Sequence, residues 1–286
     1  MQQLDIVGES FNQVYKEAIK EVVKHGSWVK PRGLACLEVL NARLTLTNPL
    51  ECLCTIYERK LNYAFAVFEK FEYLSGKSDP VALKSYNKNI LAFLNPLTNQ
   101  FDGAYGPRIK TQLDWCYKLL KEDPDTRQAV VVINDQRDRR ESKDIPCTLS
   151  LQFLLRDGKL NLTATMRSND LLWGTPYDIN GFCFLQEVLA SWLGVSVGVY
   201  VHNAGSLHLY EDKQVQLESC ATSKSQQFLV NPRFRLSHDD TEEALQRFWM
   251  EESSIRKHGY FDPEGVHNSF IPYLNTLREH VNKSKK

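Results

Sequence analysis

The chain has 286 residues, and Lys plus Arg equals Asp plus Glu at 35 each, so no net field draws it toward nucleic acid or a membrane surface. A hydrophobic content of 42% with 11% aromatics excludes a disordered chain and fits a compact fold with a large core. The cysteines at 36, 52, 54, 116, 147, 183 and 220 are odd in number, lack a CxxC pair and have no His at ligand spacing, which argues against a disulfide framework and a zinc site and for a reducing, cytoplasmic setting. No basic and apolar leader opens the sequence, and no apolar stretch reaches membrane-span length.

In chain order, residues 9–25 place Phe11, Val14, Tyr15, Ile19, Val22 and Val23 on one helical face. A turn at Lys30-Pro31-Arg32-Gly33 leads into an extended segment through Leu46. Residues 58–74 read as an aromatic-rich helix ending near Gly76. Positions 76–108 are punctuated by Pro80, Pro96, Gly103 and Gly106 and read as irregular, before a helix over 110–122. The pattern then turns to strands: an apolar run at 129–134, then Leu149, Leu151, Phe153 and Leu155 at alternate positions. Asp157-Gly158 signals a two-residue hairpin turn into a second alternating strand, Leu160, Leu162, Ala164 and Met166. Residues 179–193 are apolar almost all round, which predicts a buried central helix. A strand over 195–202 runs on toward Tyr210, and the chain beyond Asp239 reads as polar and helical. No repeat or linker divides the sequence, so the expectation is one α+β domain over 1–286, a large mixed or antiparallel sheet packed by helices, with a polar helical tail over about 240–286.

Separated blocks carry the chemistry: Pro146-Cys147 and the strand to Arg156, then Met166-Arg167-Ser168-Asn169-Asp170, Gly174, Pro176-Tyr177-Asp178, and Gly205-Ser206-Leu207-His208-Leu209-Tyr210. In order and spacing they resemble the thymidylate synthase superfamily, over roughly Phe11 to Tyr210. The resemblance implies a thymidylate synthase-like fold, a sheet-mediated homodimer, a pyrimidine nucleoside monophosphate substrate, and 5,10-methylenetetrahydrofolate as co-substrate with no metal. It makes Cys147 the nucleophile. A thiolate adds to C6 of the pyrimidine, and the electron density left on C5 attacks the folate's one-carbon unit. Arg167 is placed to favour that thiolate. The resemblance also assigns phosphate binding to Arg32, Arg127 and Arg167 beside Ser168, with Arg127 reaching into the other subunit's site. Guanidinium forks suit a phosphate dianion in shape and charge. Gln128 stands where the family usually has a second arginine, so that contact is either missing or supplied by Arg108 or Arg139. The run Arg137–Arg140, interleaved with acids, reads as solvated surface. Glu69 aligns with the glutamate that relays protons near the base, with Glu72 one turn away as a competing charge. His208 and Tyr210 match the pair that holds the sugar hydroxyl, Asp170 the carboxylate that holds the pterin, and Gly174 and Tyr177 border the same pocket.

Asp178 departs from the asparagine of thymidylate synthases, with a direct hydrogen-bond meaning. Uracil offers an N3–H donor and an O4 acceptor, which an amide matches; cytosine reverses both. A carboxylic acid donates to cytosine N3 and accepts from its amine, and a carboxylate pairs with N3-protonated cytosine. A carboxylate facing uracil O4 sets acceptor against acceptor, and mispaired buried groups discriminate by roughly 10⁴-fold. Thr148, Met166 and Ser206 replace a usual His, Gln and Asp, and the local runs resemble the deoxycytidylate hydroxymethylases of T-even phages. The expectation is a cytidylate (dCMP or CMP) 5-hydroxymethyltransferase, in which water rather than hydride completes the reaction. Reductive methylation of dUMP or dCMP and an inactive nucleotide-binding homologue are the alternatives. Ser168 tilts the sugar toward deoxyribose.

Overall fold

The computed structural model describes residues 4–226 and 231–284; Lys285 and Lys286, the end of the expected tail, lie outside them. Its elements are β1 (Asp5–Gly8), α1 (Phe11–His25), β2 (Ser27–Val29), β3 (Cys36–Leu46), α2 (Tyr63–Ser75), α3 (Pro80–Leu83), α4 (Gly106–Glu122), β4 (Val130–Val132), β5 (Thr148–Arg156), β6 (Lys159–Met166), β7 (Asn169–Asp170), α5 (Thr175–Leu193), β8 (Ser196–Tyr210), α6 (Gln214–Thr222), α7 (His238–His258) and α8 (Ile271–Ser284). The strands lie in the order β1-β3-β8-β6-β5-β4, with β2 on β3 and β7 on β8. Pairs β1–β3 and β6–β8 are parallel, while β3–β8, β5–β6 and β4–β5 are antiparallel, so the sheet is mixed.

The β5–β6 hairpin forms as its turn residues require. Asp157 and Gly158 both adopt positive φ, 52° and 68°, the left-handed pair that matches the twist of the flanking strands. Alternation then sorts the side chains. Leu151, Phe153, Leu160, Leu162, Ala164, Tyr200, His202 and Ala204 are buried toward α5 and its neighbours. Ser150, Gln152, Leu154, Thr163, Thr165, Val201 and Asn203 point to the opposite face and stay half-buried among the described residues. Leu149 leaves the expected alternation because the β5–β6 register shifts between Thr148 and Ser150. A bulge of this kind re-aims the chain beside a site.

Helix α2 starts at Tyr63 rather than 58, because residues 57–59 form a tight turn closed by left-handed Lys60 (φ 48°), and the Asn62 side chain then caps Phe65 N. Helix α5 packs against it so closely that a Cβ on Gly181 would fall 2.8 Å from the Tyr73 ring. The segment beyond Asp239 is helical as expected, but it is not a polar tail. Leu245, Phe248, Glu252 and Ile255 recur every three or four residues and are buried. Phe248 stacks on Phe71 with ring centroids 3.8 Å apart, and Phe270 and Tyr273 meet Phe71 edge-on. The charged positions between these residues masked the apolar stripe. Replacing Phe248 by Ala should therefore cost about 3–5 kcal/mol in urea unfolding; a solvated tail would show no change.

Candidate active site

Cys147 sits half-buried where the chain enters β5, between buried Pro146 and Thr148. Its carbonyl accepts from Arg167 N at 2.8 Å. The Arg167 guanidinium folds back to donate to the Pro146 carbonyl at 3.0 Å and the Ile145 carbonyl at 2.9 Å, strapping the backbone that presents the thiol. Arg32 arrives from another direction, on the turn Pro31–Gly33, in a left-handed conformation (φ 53°) unusual for a residue with a Cβ, and its positive charge acts on the Tyr210 hydroxyl as well as on the thiol. Burial pushes the Cys147 thiol up from its ordinary value; Arg167 and Arg32 pull it down, against Asp178 and Asp144.

Arg127 is not brought to this group within one chain. It is exposed at the far end of β5, where its carbonyl accepts from Gln152 and Ala129 O accepts from Phe153 N. The five residue steps along β5 from Thr148 to Phe153 put it roughly 16 Å or more from the thiol. Ser168 lies half-buried beside Arg167. Arg108 cannot supply the contact left open by Gln128: both its terminal nitrogens hold the buried Asp138 carboxylate, at 2.7 and 2.8 Å, and it also donates to the carbonyls of Ile133 and Asp102. Arg139 is exposed and donates to Asn134, which in turn donates to the Pro146 carbonyl, so it stands closer to the cleft. Arg137 and Arg140 pair with Asp135 and Asp102 at the surface.

The Asp178 carboxyl acts on the thiol and on a second carboxyl, Glu69. Asp178 lies in the first turn of α5, half-buried, and burial with Asp170 nearby raises it to about 7 against the donor Asn169 Nδ2, 2.8 Å from its Oδ2. Gly174 leaves room for that bond, since a Cβ there would lie 3.0 Å from Asn169 Nδ2 and 3.1 Å from Asp178 Oδ2. Glu69 is raised to about 8 by burial and by Asp178, while a hydrogen bond from Tyr73 opposes the shift. Glu72 is buried rather than exposed, and it accepts from Asp79 N at 2.7 Å, a structural contact that caps the turn after α2.

Toward the other end of the cleft, Asp170 Oδ1 accepts from Leu172 N at 2.6 Å and Trp173 N at 3.2 Å, and its Oδ2 has no protein donor among the described residues. Tyr177 is buried and its hydroxyl accepts from Asn62 N. His208 and Tyr210 share one face of β8, rings 5.3 Å apart. Several residues here escaped the sequence reading. Arg59 is buried, donates to the Leu172 carbonyl at 2.5 Å and lies over the rings of Trp173 and Tyr177. Tyr105 hydrogen-bonds both N and Oγ1 of Thr148, whose hydroxyl also reaches Met166 Sδ at 3.0 Å. Glu38 pairs across from His208 and accepts from Ser206 at 2.6 Å. None belongs to a local motif; only the unusual Thr148, Met166 and Ser206 hinted at them.

A cysteine under the charge of two guanidinium groups, with the Asp178 carboxyl acting on it, has the elements of a covalent-catalysis site for an anionic substrate, set on a mixed sheet. The family model for thymidylate synthase matches residues 13–265, and the chain belongs to that family. Among its relatives, a deoxyuridylate hydroxymethyltransferase of Bacillus phage SP01 is 36% identical over 224 residues, covering 72% of this chain and 58% of that protein. One of Pseudomonas phage M6 is 34% identical over 176 residues, covering 58% and 49%. A putative thymidylate synthase of Methanocaldococcus jannaschii is 27% identical over 216 residues, covering 71% and 89%. The chain thus spans only 58% and 49% of the two phage relatives' lengths. Among the described residues no helix is long and apolar enough to cross a membrane.

Two outcomes follow from these charges. Because Arg32 favours the Cys147 thiolate, Arg32→Ala should slow its alkylation by iodoacetamide near pH 8, by up to about tenfold. Glu69 and Asp178 rise from 4.5 and 3.8 to about 8 and about 7, so the folded state holds protons there that the unfolded chain has released. Stability should therefore fall as pH rises through that window, read as a declining urea midpoint, and Glu69→Gln should flatten the decline.

Proposed function

We propose that this chain is a pyrimidine nucleoside monophosphate 5-hydroxymethyltransferase whose base is cytosine. The observation that carries the reading is Asp178, a carboxyl raised to about 7 in the same cleft as Cys147. A group poised near neutrality can give a proton to N3 as the thiolate adds to C6, and then accept from the exocyclic amine. Arg32 and Arg167 hold the phosphate and favour the thiolate. Glu69, kept protonated by burial, relays protons to and from the base. His208 and Tyr210 take the sugar hydroxyl. Arg127, exposed at the wrong end of β5 for its own site, serves the site of a partner subunit, and the open face of the sheet is the surface on which two copies meet.

Methylenetetrahydrofolate, when bound, supplies the one-carbon unit. Asp170 suits the ring N–H donors of that group, because the turn at 170–174 orients its carboxylate while one oxygen stays unpaired among the described residues, beside the exposed Trp173 indole. Helices α7 and α8 pack on the side of α2 that carries Phe68 and Phe71.

A second reading, dUMP as substrate, is favoured by the two phage relatives, which are named deoxyuridylate hydroxymethyltransferases. It is chemically open, since a protonated Asp178 can also donate to uracil O4 and accept from N3–H. Parallel incubation of dCMP, CMP, dUMP and UMP with methylenetetrahydrofolate separates the readings. The expected product is a cytidylate carrying an added CH₂O, with no dihydrofolate absorbance. Asp178→Asn should move the kcat/KM ratio toward uridylate by about 10²- to 10⁴-fold. Conversion of dUMP but neither cytidylate by the unaltered protein would sink the cytosine reading.

A further inference from the structure

Behind Asp178 lies a run of buried polar groups that the chemistry above does not use. Tyr200 and His202 are fully buried on the inward face of β8. The Tyr200 hydroxyl is 2.8 Å from His202 Nδ1, His202 Nε2 is 3.1 Å from Asn169 Oδ1, and Asn169 Nδ2 donates to Asp178 Oδ2 at 2.8 Å. Thr175 Oγ1 reaches both Asn169 Oδ1, at 2.5 Å, and the Asp170 carbonyl, at 3.0 Å. A polar chain therefore runs from the middle of the sheet to the carboxyl that meets the base. Burial pushes His202 down to about 3, so its neutral ring carries a single N–H.

Such a chain can be wired in two directions. In one, Tyr200 O–H donates to Nδ1, Nε2–H donates to the Asn169 oxygen, and the Asn169 amide donates to Asp178. In the other, every bond reverses: a protonated Asp178 donates to the Asn169 oxygen, and the Asn169 NH₂ turns to His202 and Thr175. Thr175 tolerates both, because it can donate to either of two acceptors. Tyr200 does not. In the reversed chain it accepts from His202, and its own proton has no acceptor among the described residues. Orphaning a buried donor favours the first direction by about ten- to a hundredfold.

We propose that Tyr200, His202 and Asn169 are positioning residues that fix Asp178 Oδ2 as an acceptor and confine any proton it carries to Oδ1, so that the carboxyl reads one base edge only. Cytosine and uracil present donor and acceptor in opposite order along N3 and the 4-substituent. A carboxylic acid free to carry its proton on either oxygen serves both bases; one with a preset proton serves one. This rests on the reading that Asp178 faces the base, and it holds whichever base is the substrate.

The test is Tyr200→Phe, which removes only the hydroxyl that sets the direction. The kcat/KM ratio between dCMP and dUMP should narrow by about tenfold or more, through a gain on the disfavoured base. A ratio unchanged within about twofold, or an equal loss on both bases, would overturn the relay, since a packing defect lowers both alike. His202→Phe, which removes the donor to Asn169, is read the same way should Tyr200→Phe fail to fold. Calorimetric binding of dCMP and dUMP without folate gives the same ratio independently of turnover. If no base is hydroxymethylated, the reading of function fails while the binding ratio still decides the relay.

Discussion

Helix α5 is buried on nearly every side, and that single constraint governs the site. A helix in such surroundings must satisfy or neutralise every polar side chain it carries. The Gln186 amide nitrogen does so by donating to the carbonyls of Leu160 and Val199, tying the helix to β6 and β8, although its Oε1 has no partner among the described residues, and Glu187 accepts from Phe234 N at 3.1 Å. Asp178 is the exception. It enters the same low-dielectric interior with one amide donor, and burial outweighs that donor, leaving a carboxyl that exchanges its proton near neutrality. Glu69, brought against it by the close α2–α5 packing at Gly181, is raised by the same burial and by Asp178 itself. These two neighbouring acids, one on α2 and one on α5, cannot both ionise cheaply.

The thiol presents the mirror problem. Burial disfavours its ionised form, and the two guanidinium groups offset this only in part, because Asp178 and Asp144 act against them. Arg167 is rigid, held to the backbone before Cys147; Arg32 is exposed on a left-handed turn. One arginine thus fixes the geometry of the nucleophile while the other is placed to respond to an anion. A carboxyl that gives up its proton to the base would add negative charge near the thiol, so thiolate attack and protonation of N3 are best timed together.

Much of the architecture was legible because it rests on short-range rules. The alternation in β5 and β6, the Asp157-Gly158 turn and the all-round apolarity of α5 each have one physical solution. The family was legible for a different reason: the blocks from Pro146 to Tyr210 stand in contiguous stretches whose order resembles it. What escaped is what the fold assembles across distance. Arg59 acts on Trp173 and Tyr177 from more than a hundred residues away, and His202 meets Asn169 only because β7 and β8 are neighbours in the sheet. The last two helices were misjudged because polar and charged residues separate their apolar ones, while burial follows a stripe of one residue in three or four.

The departures from the family's usual residues form contact pairs, which changes how they should be weighed. Thr148 and Met166 stand where a His and a Gln are usual, and here they touch each other through a hydroxyl–sulfur contact under Tyr105. Ser206 stands where an Asp is usual, and Glu38 across the strand pair supplies a carboxylate to it. Asp178 likewise does not stand alone, since Asn169, Thr175, His202 and Tyr200 line up behind it. A single exchange at any of these positions would strand a buried donor or acceptor on its partner. The departures in this cleft therefore belong to connected polar contacts rather than to isolated positions, and Asp178 stands at the end of one of them.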